Sequence, residues 1–365
     1  MSYNISMSHI YNKNFPTPRF LSMASFALDI SDQSIKYGKL SRSHSGFHLT
    51  KYGKIEIQKG VVTSGKIENP PVLVTALKIL AKKEKMNFVR VSLPEEQIYL
   101  FTIVLPRMSW KELHESILLQ LEEYIPITAN DTVFDFDVLE ETESDVLLQV
   151  VATSVGLIES YLSVFEQAGL TPISFELEAQ AIARAVISED NNQTFMIVDF
   201  GGTRTGISIV AKNKVLFTAT VDVGGNMLTE MIMKSFGITF VEAEKMKSLY
   251  NLSTHEEASK IFSSILNGVS VLHDEINKHI SFWQTHEDER GRKRNSIDKI
   301  IMCGGDANLR GVSEYLEASI KIPVEHANAW INIFDLNNEV PEMSLGESLG
   351  FVTVLGLALN DFIEE

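Results

Sequence analysis

Two carboxylates end two similar stretches of this chain. Asp29 closes the apolar run that begins at Phe26, and Asp199 closes the run from Phe195 to Val198. Behind Asp29 come Ser31, Asp32, Gln33, Ser34 and Lys36; behind Asp199 come Gly201, Gly202, Thr203 and Thr205. A strand that ends in Asp, turns through small or polar residues and returns as a second strand presents N–H groups and hydroxyls to phosphate oxygens. The carboxylate beside it holds a hydrated metal ion. Lys36 would add a point positive charge next to those phosphates. A third element, Gly304 and Gly305 after the apolar strand from Ile300 to Cys303, leaves backbone bare for a flat nucleoside to approach. The same residues also serve plain hairpins, because Asp and Gly are turn formers that need no ligand. Their order along the chain suggests a nucleotide clamped between two related halves.

Such hairpins need cores to hold them. At 365 residues the chain exceeds what one core usually supports, so two or more domains are expected. An apolar share of 44% and a charged share of 22% are those of a soluble globular protein. A formal net charge of -16 argues against nucleic-acid binding and against adhesion to an anionic membrane. The lone cysteine, Cys303, excludes an internal disulfide framework and reads as a small buried apolar residue. No run of about 18 apolar residues stands out, so no transmembrane helix and no direct membrane insertion are expected. Residues 1–24 lack a continuous apolar stretch and a small-residue cleavage site, and read as a mobile tail instead of a signal peptide. The expected location is the cytoplasm.

Apolar spacing sets out the elements. Alternating segments at 36–40, 47–51 and 55–58 predict a small antiparallel sheet. Pro70 and Pro71 open a helix on which Val72, Leu73, Ala76, Leu77, Leu80 and Ala81 share a face. Strand patterns follow at 89–93 and 98–105, then a helix over 110–124 with Leu113, Ile117, Leu121 and Tyr124 at helical spacing. Strands at 134–139 and 146–153 and a helix over 156–168, closed by Gly169, complete an α+β module. The division is thus a tail at 1–24, a first-half core at 25–88, the inserted module at 89–172 and a second half at 173–365. Within the last part, helices are expected at 176–187, 226–236, 239–248, 256–284 and 310–319. A final helix, about 348–360, returns toward the first half. The charged stretch 285–295 reads as a solvated loop.

Taken in this order, the motifs resemble the actin-like ATPase superfamily and, within it, the type IV pilus assembly protein PilM family. The segments 29–36, 198–205, 216–218, 224–226, 242–247 and 302–312 carry the nucleotide part of the resemblance. Segments 105–109, 120–126 and 168–185 resemble that family's inserted subdomain and connecting helix. The resemblance implies an α/β protein with an actin-like fold of two duplicated ribonuclease-H-like halves and an inserted α+β subdomain in the first half. It implies ATP and Mg2+ as cofactors, with Asp29 and Asp199 holding Mg2+ through water. Gln33, Ser34, Lys36, Gly201, Gly202, Thr203 and Thr205 would meet the phosphates, and Gly224 and Gly225 extend that set. Glu244 and Lys247, three apart on one helical face, correspond to groups at ribose and adenine. Gly304, Gly305 and Ala307 form the adenosine side, and Glu178 matches a carboxylate that orients the attacking water.

The family resemblance also implies partners. A cytoplasmic component peripheral to the inner membrane would recruit the cytosolic N-terminal tail of a PilN-like membrane protein, in a groove expected around Val91, Leu93, Ile98 and Leu100. Other pilus motor components and self-association are further implied contacts. The chain departs from the family pattern at Ser31, where glycine is usual, at Asp32, where serine is usual, at Arg204 and Gly206, and over 327–330. An added carboxylate at Asp32 repels phosphate unless Mg2+ or Lys36 offsets it, so slow or absent ATP turnover is expected. Two alternatives stay open: a filament-forming membrane scaffold like FtsA, and a small-molecule kinase of the same superfamily. The first carries a basic amphipathic C-terminal anchor where this chain ends in Asn360, Asp361, Phe362, Ile363, Glu364 and Glu365. The second needs its own catalytic Asp in a substrate pocket.

Overall fold

The computed structural model describes residues 25–42, 46–250, 255–336 and 339–362. The tail expected at 1–24 lies outside them. Each half carries the same five-stranded plan. In the first, β1 (Phe26–Ile30), β2 (Ser34–Arg42) and β3 (Phe47–Glu56) form an antiparallel meander, and β6 (Phe88–Leu93) and β10 (Thr171–Leu177) extend it in parallel, in the order β10-β6-β1-β2-β3. In the second, β11 (Thr194–Phe200), β12 (Thr205–Ala211) and β13 (Lys214–Val221) repeat the meander, and β14 (Lys299–Cys303) and β15 (Val324–His326) repeat the parallel extension. Both β1 and β11 are nearly continuous apolar runs because each is buried on both faces at the centre of its sheet. A short hairpin, β4 (Val62–Thr63) with β5 (Lys66–Ile67), precedes α1 (Pro70–Glu84), whose Leu73, Leu77 and Leu80 enter the first core.

The inserted unit is smaller than the pattern suggests. It consists of β7 (Ile98–Pro106), α2 (Trp110–Tyr124), β8 (Thr132–Glu141) and β9 (Asp145–Ser154), with sheet order β7-β9-β8. Its core is its own: Leu113, Ile117 and Leu121 of α2 meet Ile103, Leu105, Leu148 and Val150 of the sheet. A capping box at Ser109 and Glu112 starts α2. Three ring pairs, Trp110–Phe136, His114–Phe134 and Tyr124–Phe101, at 4.5–4.7 Å, close the layer between helix and sheet. The neighbouring pieces expected inside the module belong to the first half instead. Strand β6 pairs with β1, α3 (Val155–Ala168) contacts α1, and β10 completes the five-stranded sheet.

Four further elements differ from expectation. Segments 47–51 and 55–58 are not two strands: residues 47–56 run as one, because Gly53 opposite Tyr37 leaves room for the tyrosine ring. Residues 171–177 form β10, so the connecting helix α4 (Glu178–Val186) starts at Glu178, two residues later than predicted. The run 345–362 has a mean hydropathy of 1.2, apolar enough by length and composition to cross a membrane, contrary to expectation. It divides into α9 (Leu345–Ser348), a 3-10 turn and α10 (Val352–Leu359), and α10 is buried against α4, β1 and β2; its apolar character fills the first core.

The charged loop 285–295 is not simply solvated. Arg290 pairs with Glu140 (3.1 Å) and with Asp145, and Arg292 pairs with Glu140 (2.9 Å). Lys212 and Lys214, at the turn between β12 and β13, reach Glu140 and Asp137 at 3.5 and 3.1 Å. The Gln149 amide donates to the Val215 carbonyl. These contacts tie the inserted unit, which belongs to the first half by sequence, to the second half. Remaining helices of that half are α5 (Gly225–Phe236), α6 (Phe240–Leu249), α7 (His255–Thr285) and α8 (Val312–Ile320).

Candidate functional site

The parallel strands of both halves end at one cavity. In the first half, the residues at or just past the carboxyl ends of β1, β6 and β10 are Asp29, Glu95 and Glu178; in the second, β11 and β14 end beside Asp199 and Gly304. Open α/β sheets bind ligands at this edge. The cavity is about 260 Å³, and its lining includes Asp29, Gln33, Ser34, Lys36, Glu178, Asp199, Gly201, Gly202, Thr203, Glu244 and Gly305. The structure therefore brings eleven of the sequence-derived residues to one space from both halves.

Local geometry explains how each is held. Asp29 is paired with Lys36 across β1 and β2, with Nζ 3.9 Å from Oδ2, and accepts a hydrogen bond from Ser92 at 3.0 Å. Ser31, where glycine is usual, uses its hydroxyl to accept from the Ser34 N–H at 3.2 Å and so tightens the hairpin. On the opposite wall, Gly201 N–H donates to the Arg204 carbonyl at 3.0 Å, and the N–H groups of Gly225 and Asn226 donate to the Gly201 and Gly202 carbonyls at 2.9 and 2.8 Å. The second hairpin is thereby fixed to the start of α5. Gly304 has φ +100°, and a Cβ there would lie 2.4 Å from the Phe200 carbonyl and 2.5 Å from Asp199 Oδ1. Only glycine lets the loop pass so close beneath the carboxylate.

Six of the named residues stand behind the cavity wall. Thr205 donates its hydroxyl to the Val223 carbonyl at 2.6 Å and is fully buried. A Cβ on Gly225 would lie 2.1 Å from the Asp306 carboxylate, so this glycine makes room for Asp306; Gly224 sits against the second hairpin. Ala307 is buried under the glycine loop, and its carbonyl lies 3.1 Å from His326 Nε2. Gly304 lies beneath Asp199 and Phe200, outside the lining. Lys247 is buried, with Nζ 2.7 Å from Asp306, 3.1 Å from Glu244 and 3.1 Å from the Gly225 carbonyl. Its three N–H groups position Glu244 and Asp306.

The expected peptide face does not form. Val91 and Leu93 are core residues at 0% and 3% exposure, because β6 is covered on both sides. Ile98 and Leu100 instead line a separate cavity beside β13. A larger groove, about 770 Å³, runs elsewhere, between the inserted unit (Phe136, Gln149, Val151), the first half (Phe175, Gln180, Arg184) and the second half (Lys214, Val215, Asn332).

Sequence reading missed Glu95, Arg204, Asn226 and Asp306 as members of the cavity lining. For Glu95 the usable signal was its place just past the apolar strand at 88–93. The carboxyls repel one another strongly. Burial first, then the charges of Asp199 and Glu96, push the Glu95 carboxyl up to about 7, although it shares a hydrogen bond with Glu178. Burial, then Glu95, Asp29 and Asp199, holds Glu178 well above the usual carboxylate range. Asp199 is pushed up to about 6 by burial and Asp29, against the pull of Lys36 and Arg204. The two unusual residues of the hairpins meet: Arg204 Nη1 lies 3.1 Å from Asp32 Oδ2, and Arg204 Nε lies 2.5 Å from Glu96 Oε1.

Comparison with known proteins agrees with this architecture. The family model described as type IV pilus assembly protein PilM matches residues 27–362. A solved PilM-PilN type IV pilus biogenesis complex contains a chain that is 22% identical, with a TM-score of 0.77, over 93% of this chain and 99% of that one. MreB5 of Spiroplasma citri bound to ADP is 14% identical, with a TM-score of 0.53, over 91% of this chain and 94% of that one. The cell division protein FtsA of Neisseria meningitidis serogroup B is 19% identical over 202 residues, 49% of this chain and 47% of that protein. The chain spans about half the length of the curated relatives it matches. The fold is that of the actin-like ATPases.

Proposed function

We infer the function from the premise that this chain belongs to the type IV pilus assembly protein PilM family. It acts as a pilus assembly component that binds Mg2+ and ATP in the cleft between its halves and recruits the cytosolic tail of a PilN-like membrane protein. It thereby works on the cytoplasmic side of the inner membrane. The observation that carries the nucleotide reading is the convergence of both acidic hairpins and the glycine loop on one cavity. The residues fit a hydrated divalent cation: Asp29 and Asp199 line the same space, and Asp199 resists ionisation partly because Asp29 faces it. When bound, the ion would neutralise phosphate charge.

The chain's own groups divide the remaining work. N–H groups and hydroxyls of the two hairpins would bind the phosphates, and Lys36 would add charge. Lys247 holds Glu244 and Asp306 at the nucleoside side. Glu178 would orient water; burial, then Glu95, Asp29 and Asp199, hold its carboxyl well above the usual carboxylate range.

The groove of about 770 Å³ is the seat assigned to the peptide. Asp135 and Phe175, on β8 and β10, line it, and these are edge strands of their sheets among the described residues. An extended tail can add backbone hydrogen bonds to such an edge while apolar side chains enter the groove. The similarity to the chain from the PilM-PilN complex supports this partner. Titration of a labelled PilN-tail peptide checks it. Saturable 1:1 binding, weakened by Phe175→Asp, is expected; no saturable binding with or without Mg·ATP would remove the partner assignment.

A further inference from the structure

The cleft is crowded with negative charge before any phosphate enters. Seven carboxylates (Asp29, Asp32, Glu95, Glu178, Asp199, Glu244 and Asp306) and three cations (Lys36, Lys54 and Arg204) line it. Of the cations, Arg204 is the one that joins the two halves. It stands in the β11–β12 turn, and its guanidinium reaches Asp32 in the β1–β2 turn at 3.1 Å and Glu96, just after β6, at 2.5 Å. All three side chains are 16–17% exposed. The pairing is incomplete: Glu96 Oε1 takes the Arg204 ion pair, whereas Asp32 Oδ1 and Glu96 Oε2 are buried without a hydrogen bond. Two carboxylates share one guanidinium, and a buried acceptor without a donor is costly.

We propose that Asp32, Arg204 and Glu96 form a clasp across the cleft mouth, and that the terminal phosphate of a nucleoside triphosphate opens it by taking Arg204. This rests on the nucleotide reading of the cleft and adds to it a residue that distinguishes triphosphate from diphosphate. A phosphate offers the planar guanidinium fork more charge and a bidentate partner, which neither carboxylate provides here. A nucleotide without that phosphate leaves the clasp shut. Asp32, which alone would repel phosphate, acts as the competitor that keeps Arg204 in reserve.

Calorimetric titrations of Mg·ATP and Mg·ADP into the full chain test the clasp, with the ratio of the two dissociation constants as the readout. Asp32→Asn removes the competitor and is expected to raise the preference for ATP about tenfold, the scale of one charge-assisted hydrogen bond. Arg204→Met is expected to bring the ratio to about one, and Arg204→Lys to leave it in between. Melting curves establish that each variant is folded; if Arg204→Met does not fold, Asp32→Asn and Arg204→Lys carry the test. Binding of both nucleotides with the wild-type ratio kept in Asp32→Asn and in the Arg204 variants overturns the clasp and leaves the cleft assignment standing. A wild-type chain that binds neither nucleotide overturns the cleft assignment, and the clasp with it.

Discussion

Lys247→Met should weaken the fold through a group that does not line the cleft. The side chain is 4% exposed and gives its ammonium to Asp306, Glu244 and the Gly225 carbonyl. Methionine keeps most of the volume and removes the charge. Burial already holds the Asp306 carboxyl above its usual range, and Lys247 is the principal group pulling it down. Removing one partner of a buried pair costs about 3–5 kcal/mol. Asp306 is 15% exposed and can take up a proton, so about 3 kcal/mol is expected, the low end of that range. For a unit of this size that is a fall in Tm of about 6–12 °C. Differential scanning calorimetry at pH 7.5 without nucleotide measures it. The double variant Lys247→Met with Asp306→Asn should recover at least about 1 kcal/mol relative to the sum of the single losses, since the uncompensated charge is gone. A fall below 2 °C, or strictly additive losses, would refute the buried-network reasoning.

Gly304→Ala should cost about 2–4 kcal/mol, combining strain at positive φ with the collision against Phe200 and Asp199, and should abolish nucleotide binding; unchanged melting would contradict the close packing. Stability should fall between about pH 5 and 7 without Mg2+. Over that window the folded chain retains protons on Asp199, near 6, and Glu95, near 7, that unfolded carboxylates have already lost. Glu95→Gln should therefore be more stable than wild type at pH 7.5, by on the order of 1–2 kcal/mol, and should show a shallower decline; a lower Tm at pH 7.5 would reverse the sign. Arg290→Gln should loosen the inserted unit from the second half and weaken binding of a PilN-tail peptide several-fold, while leaving Mg·ATP affinity within about twofold. Equal loss of both affinities would show that the loop acts on the cleft instead.

Local signals in the sequence were strong where the physics is local. Helix α2 has the predicted bounds, 110–124, because its apolar spacing is regular and Ser109 and Glu112 cap its start. Asp29 and Asp199 were legible because each interrupts a fully apolar run at the end of a central strand. Strand β10 was not: its half-buried residues 171–177 lack clean alternation and run into α4 without a side-chain cap. Glu95 becomes a cleft residue only through the parallel pairing of β6 with β1, and Arg204 meets Asp32 across 172 positions of sequence. Local polarity made 285–295 a solvated loop, whereas Arg290 finds Glu140 and Asp145 some 150 and 145 positions away. Long-range pairs of this kind follow from topology, which a single sequence expresses only indirectly.

Titration of Mg·ATP into the intact wild-type chain, beside Asp29→Asn with Asp199→Asn, tests most directly whether the duplicated hairpins serve one nucleotide. One saturable site per chain, weakened at least tenfold by chelating Mg2+ or by the paired substitution, is the predicted result. Absence of saturable binding, or binding indifferent to both perturbations in folded protein, would contradict the account.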